Sequence, residues 1–398
     1  MHLLWEAILF FYLYGIVSLS LYLIASPFLI LLSFKKKYEK SIPARFFLWK
    51  NPPLKPDGIW FHSCSFGEAK AIKPIVDALP PDRLRMTTTT QTGKSVIDAY
   101  TAQSRYLPFE PLLWFWLRRQ KVLVVMEAEL WFLLFALAKR RGAKTMLINA
   151  RMSDRSFPKY MKMRWFYRRL FHYVDVVYAQ TDTDRRRLEQ LGAKGVKVAG
   201  NIKLAALPSP QRNLRKPDRF VVCAASTHEG EEKIALDAFE ALKKERSDAM
   251  LLVVPRHPER FEKVWATIER YAKKNRWKHH RFSRNERLEG DVVLIDRLGA
   301  LVDMYAVSDL VILGGSFVPV GGHNAAEAAQ FGCRIISGPH YFNQKEIFDA
   351  IEGIVIVDAS NLAKRVVQYG LVKPAKIVQG SNLAPIVTAI EATTEEFL

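Results

Sequence analysis

The stretch IWFHSCSFGEAKA, Ile59–Ala71, sets a short apolar run against an abrupt turn and the start of a helix. Ile59 to His62 reads as a buried strand, Ser65, Phe66 and Gly67 turn the chain, and Glu68 opens the helix. Repetition of such a βα unit builds a parallel sheet with helices on both faces, and the loops at the carboxyl ends of its strands form the working edge. The unit does recur: Lys121–Met126, Lys144–Ile148 and Val174–Ala179 are further buried strands separated by helical patterns. LPSPQRNLRKPD, Leu207–Asp218, then carries three prolines and little apolar content, as a linker would. Beyond it a second series begins with Phe220–Ala224, Met250–Val254, Val292–Ile295, Leu310–Leu313 and Arg334–Ile336. The fold class is therefore α/β with two Rossmann-like halves: an anchor over 1–36, a first domain over 37–206, a linker over 207–218 and a second domain over 219–398.

The amino-terminal segment differs from all of this. Ala7–Phe34 runs for 28 residues without a charge and then meets Lys35, Lys36 and Lys37. Its length suits a bilayer span, and the basic flank on its carboxyl side places the rest of the chain in the cytoplasm. A cleavable signal would carry its basic residues ahead of a shorter apolar run, so a retained anchor is expected. Glu6, Ser18, Ser20 and Ser26 keep an interfacial helix open as the alternative.

Lys and Arg outnumber Asp and Glu by 59 to 40, a net charge of +19, which points to polyanionic partners without choosing among nucleic acid, anionic lipid and phosphorylated substrates. Cys64, Cys223 and Cys333 show no metal-ligand or disulfide spacing, and no protein-bound metal is expected. Ser153–Tyr173 interleaves Arg and Lys with aromatics, which fits a solvated helix face and equally a face laid on anionic lipid.

Several motifs fall where strands end. Ser65-x-x-Glu68 places a carboxylate where a base would work, and it also matches a capping box. TTTTQTGKS, Thr87–Ser95, lacks the first glycine of a phosphate-binding P-loop, because Thr88 stands there. EAELW puts Glu127 and Glu129 just past a strand, where the helix dipole alone also favours acids. In the second half STHEGEE, PRHPER, GGSFVPVGGHNAAEAA and SGPHYFNQKEI each follow a strand. Gly321, Gly322, His323 and Asn324 suit a phosphate cradle at a helix start, and Asn324-x-x-Glu327 suits a local cap.

Together, HSCSFGE, EAELW, NARMSDRS, VAGNIKLA, STHEGEE, PRHPERF and GGSFVPVGGHNAAEAA resemble the motifs of the 3-deoxy-D-manno-octulosonic acid (Kdo) transferases over nearly the whole chain. The resemblance implies a GT-B architecture, two Rossmann-like domains facing across a cleft, and inverting transfer of Kdo from CMP-Kdo to a lipid A precursor at the bacterial inner membrane. It implies Glu68 as general base, with Glu127 and Lys203 assisting the transition state. Pro255, Arg256, Leu298, Gly299, Ala300, Asn324, Ala325, Ala326 and Glu327 would bind the nucleotide. No cofactor beyond the donor substrate is implied; the partners are the donor, the lipid acceptor and membrane lipids, and nucleic acid is not among them. The chain departs from the family pattern at Ala128, Ala300 and Leu204-Ala205. A uridine-nucleotide donor is the nearest rival reading, and a basic membrane or RNA-binding scaffold is the non-enzymatic one.

Overall fold

Runs such as VLVVM and VVCAAST have no polar alternation, so they are stable only as strands covered on both faces, the setting of a parallel sheet. In the computed structural model, which describes residues 2–36, 38–205, 207–378 and 380–395, every residue of both runs is buried. Lys37, the last of the basic flank, lies outside the described residues. The chain divides into two units, Met1–Ala206 with Gly380–Leu398, and Leu207–Gln379.

The first unit holds β1 (Ile59–His62), β2 (Leu84–Thr88), β3 (Ser104–Tyr106), β4 (Val122–Met126), β5 (Lys144–Ala150), β6 (Val176–Ala179) and β7 (Lys197–Val198), all paired in parallel in the order β3-β2-β1-β4-β5-β6-β7. Strand order reverses between β1 and β4, the point at which open parallel α/β sheets characteristically bind their ligands. The sequence motifs around Glu68 and Glu127 leave those two strands.

Alternation sorts the side chains. Trp60, Leu123, Val125 and Leu147 enter one core, and Ile59, Phe61, Val124, Met146 and Ile148 enter another on the opposite face. Helices from the two ends of the chain close these two cores: Phe11 of the helix His2–Ser33 enters the first, and Ile386 and Ile390 of the helix Ala384–Glu395 enter the second.

This last packing corrects the sequence reading, which runs the second domain to residue 398. Asn382 N–H donates to the Ala199 carbonyl and the Tyr178 hydroxyl to that of Pro385, both at 2.9 Å, so the final helix belongs to the first unit. Helical periodicity shows that a face is buried but not on which sheet. Ile390→Ala, at a fully buried site, is expected to cost about 2–5 kcal/mol. Hydrogen exchange should then accelerate in β4 and β5; faster exchange confined to the second unit would contradict this placement.

The second unit holds β8 (Val221–Thr227), β9 (Met250–Pro255), β10 (His279–Arg281), β11 (Val292–Leu294), β12 (Leu310–Leu313), β13 (Arg334–Ser337), β14 (Ile351–Glu352), β15 (Ile354–Ile356) and β16 (Lys376–Ile377). Its main sheet runs β10-β11-β9-β8-β12-β13-β15, again all parallel, with the reversal between β8 and β12. The proline-rich stretch is tied down here: buried Asp303 accepts Gln211 N–H (2.6 Å), Arg212 N–H (3.0 Å) and the Arg212 guanidinium (2.9 Å). β2, β3, β7, β10 and β14 to β16 escape the sequence reading: β2, β3 and β10 carry polar residues such as MTT, SRY and HHR, and the others span only two or three residues.

Candidate active site

In the first unit β1 delivers its end into a capping box. Ser65 Oγ accepts Glu68 N–H (3.3 Å) and donates to Glu68 Oε1 (2.8 Å), while Glu68 Oε2 accepts Cys64 N–H (2.8 Å). The turn itself is held from β2: hydroxyls of Thr88, Thr89 and Thr90 donate to the Cys64 carbonyl at 3.0, 3.2 and 3.1 Å. Here the threonine run that superficially matches a phosphate loop has a structural use.

Glu127, at the end of β4, adopts a left-handed backbone with φ +55°, and Asn149, near the end of β5, does the same with φ +52°. Such conformations cost about 1–3 kcal/mol each in residues with a Cβ and persist where surrounding contacts over-determine them. Those contacts are visible. Glu127 Oε1 takes Lys203 Nζ at 2.7 Å and Asn149 Nδ2 at 3.3 Å, and Oε2 takes Arg151 Nε at 3.2 Å. Asn149 Oδ1 in turn accepts Ile202 N–H at 2.9 Å, fixing the short turn Ile202–Leu204 that presents Lys203. Segments more than 70 positions apart thereby meet at one carboxylate.

Two neighbouring carboxyls are pushed in opposite directions. Glu68 is raised above its ordinary range, first by burial and then by the charge of Glu127, against the pull of the Cys64 N–H and the Ser65 hydroxyl. Burial also acts upward on Glu129, but its interactions with His62 and Trp131 outweigh this and hold it below the ordinary range. His62 Nε2 stands 3.8 Å from Glu129 and Trp131 Nε1 donates to it at 2.6 Å. Divergent carboxyl environments of this kind separate proton-holding from ionised roles. Burial pushes the Cys64 thiol up to about 11, which disfavours it as a nucleophile.

In the second unit three imidazoles gather on the loops leaving β8, β9 and β12. His228 and His323 stack with Nε2 atoms 3.2 Å apart, and the His257 ring centre lies 5.3 Å from that of His228. Burial lowers His228 against the pull of Glu231, and burial together with its neighbours, Arg256 among them, brings His323 down to about 4, so both are neutral at pH 7. Neutral imidazoles beside an exposed Arg256 offer hydrogen bonds and one strong positive charge to an anionic ligand.

The glutamates of STHEGEE hold this site together. Glu231 accepts the N–H groups of His228 (2.8 Å), Gly315 (2.7 Å), Ser316 (3.1 Å) and Phe317 (2.9 Å), and Glu232 makes a bidentate pair with Arg260 at 2.8 Å. Gly321 lies at φ +115°, and a Cβ there would stand 2.1 Å from Asn343 Nδ2, so glycine is required where these two loops meet.

The remaining sequence candidates fall as follows. Pro255 closes β9 and Arg256 begins the loop beyond it. Asn324 Oδ1 accepts Ala326 N–H (3.0 Å) and its Nδ2 reaches Glu327 (3.5 Å), a local turn ahead of the helix Ala326–Ala329, whose N-cap residue, Ala325, makes no side-chain cap bond; Ala325 and Ala326 are fully buried. Leu298, exposed, and Gly299, at φ +79°, stand on a different loop, after β11, and Ala300 is buried at the start of the helix Leu301–Ala306. Sequence reasoning missed Asn149, Arg151, His228 and His257 as site residues, while His323 was already placed in the phosphate cradle. A usable signal existed for the histidines: each occupies one of the motifs that follow β8, β9 and β12.

A family model described as 3-deoxy-D-manno-octulosonic-acid transferase (kdotransferase) matches residues 40–206. The 3-deoxy-D-manno-octulosonic acid transferase of Haemophilus influenzae is 34% identical over 375 residues, covering 86% of each chain. That of Bordetella pertussis is 33% identical over 315 residues, 72% of each chain. Among solved structures, a UDP-GlcNAc 2-epimerase from Neisseria meningitidis shares the fold at 14% identity and TM-score 0.52, over 84% of this chain and 99% of that one.

Proposed function

The chain belongs to the family of 3-deoxy-D-manno-octulosonic acid (Kdo) transferases, and from that premise we propose that it moves Kdo from CMP-Kdo to a lipid A precursor, with Glu68 as general base. The observation that carries this reading is the Glu68 carboxyl at the strand-order reversal, its proton affinity raised by burial and by Glu127. A base for a sugar hydroxyl works best when its proton affinity approaches the operating pH. Glu68 takes the proton as the acceptor oxygen bonds to the anomeric carbon of Kdo. The bond from that carbon to the phosphate oxygen breaks, and CMP leaves with the electron pair.

Glu127, paired with Lys203, keeps the proton affinity of Glu68 high, and the two assist the transition state. Arg256 and the neutral imidazoles of His228 and His323 receive the CMP phosphate or the sugar carboxylate, while Leu298–Ala300 and Asn324–Glu327 shape the nucleotide pocket. The catalytic units work on the cytoplasmic side of the bacterial inner membrane, held there by the amino-terminal helix and its basic flank.

Incubation of the full chain with CMP-Kdo and a tetra-acylated lipid A precursor, read by mass spectrometry, is expected to add the mass of Kdo to the lipid. CMP should inhibit and UMP should not. Transfer from a uridine-nucleotide sugar, with none from CMP-Kdo, would replace this reading by the rival donor.

A further inference from the structure

The helix His2–Ser33 is apolar enough to span a bilayer from Ile8 to Ser33, yet one side of it is already occupied. Phe11 is buried against Trp114 with ring centres 4.9 Å apart, and Tyr14 packs on Phe132 at the same separation. The Tyr14 hydroxyl donates at 2.5 Å to Glu110, a buried carboxylate that also accepts Leu133 N–H at 2.6 Å. Ser18 is buried in the same stripe, and one turn further on the Tyr22 hydroxyl donates to the Phe46 carbonyl. Residues 11, 14, 18 and 22 follow helical spacing, so one continuous face is docked on the first unit.

A crossing helix needs acyl chains around the middle of its apolar run. Here the amino-terminal half of the run, as far as Tyr22, lies against a carboxylate, a backbone carbonyl and the guanidinium of Arg140, which sits 4.1 Å from the Phe11 ring centre, so only Leu23–Ser33, about half of what a crossing takes, extends past them. Groups of this kind are costly at bilayer depth. The opposite face presents Leu13, Ile16, Val17, Ile24, Phe28 and Leu31, all exposed. Arg169, over the rings of Phe10 and Trp165, joins Arg140 beside the helix, and two such positive charges match an anionic headgroup layer.

We propose that this helix does not cross the membrane: it lies in the plane of one leaflet, docked face on the first unit and free face among the acyl chains, so both of its ends stay on the side of the catalytic units. The occupant of the free face is an anionic bilayer leaflet. The inference uses only the packing of the helix and is independent of the sugar chemistry.

The test places one protease-cleavable tag ahead of Met1 and a second after Leu398 in the full chain, inserted into vesicles of phosphatidylethanolamine and phosphatidylglycerol. Protease added outside is expected to remove both tags from the same molecules and, in inward-facing molecules, neither. Cleavage of one tag with the other protected until detergent is added would overturn the proposal in favour of a span. Failure to bind vesicles, with dimers forming through the free face in their absence, would overturn it in favour of a second copy as occupant.

Discussion

Glu68→Gln is expected to lower kcat for Kdo transfer by about 100- to 10,000-fold, the usual worth of a positioned general base, while leaving the fold intact. The substitution separates the two roles that the geometry assigns to this side chain. A glutamine oxygen still accepts the Cys64 N–H, and the Ser65 hydroxyl rotates to accept from the new amide, so the cap survives. Stability should change by under about 1 kcal/mol. A variant with wild-type turnover would leave Glu68 as a cap alone.

The same carboxyl predicts a pH profile. The ionised form is the base, and its proton affinity is raised by burial and by Glu127, so activity should fall on acidification at a pH above the ordinary carboxylate range. Glu127→Gln removes the second of these causes and should move that acid limb downward. The stability linkage has the opposite sense: the folded state holds this proton more tightly than the unfolded chain. That contribution is complete below the unfolded pKa and is lost as pH rises through the folded one.

Glu231→Gln is expected to destabilise the second unit by about 3–5 kcal/mol, because hydrogen bonds to a buried charge are worth about 1.5–3 kcal/mol each and do not simply add. One carboxylate oxygen accepts the N–H groups of His228 and Gly315, and the other those of Ser316 and Phe317. Whichever way the amide is turned, its NH₂ faces two N–H donors. His228 and the glycine-rich loop then lose their mutual register, and CMP affinity should fall at least about tenfold, 1.4 kcal/mol. Denaturant unfolding and a CMP titration check both parts; an unchanged midpoint and affinity would remove Glu231 from its organising role.

The amino-acid sequence by itself determined the features encoded within a few neighbouring residues. Short apolar runs bounded by turn residues, such as β4 and most of β8, read as doubly covered strands, and alternation with helices makes them parallel. Ser65 and Glu68 close their cap across three positions, so it was legible without coordinates. Tertiary structure alone decided which distant groups meet. The Glu127 carboxylate finds Lys203, Arg151 and Asn149 only because β4 and β5 pair in one register and the turn after β7 returns to their ends. The last helix joins the first sheet, and the first helix spends one face on Glu110 and Trp114, for a related reason. An apolar stripe states that it must be buried, but the surface that buries it is chosen by shape and by the placement of polar partners far along the chain.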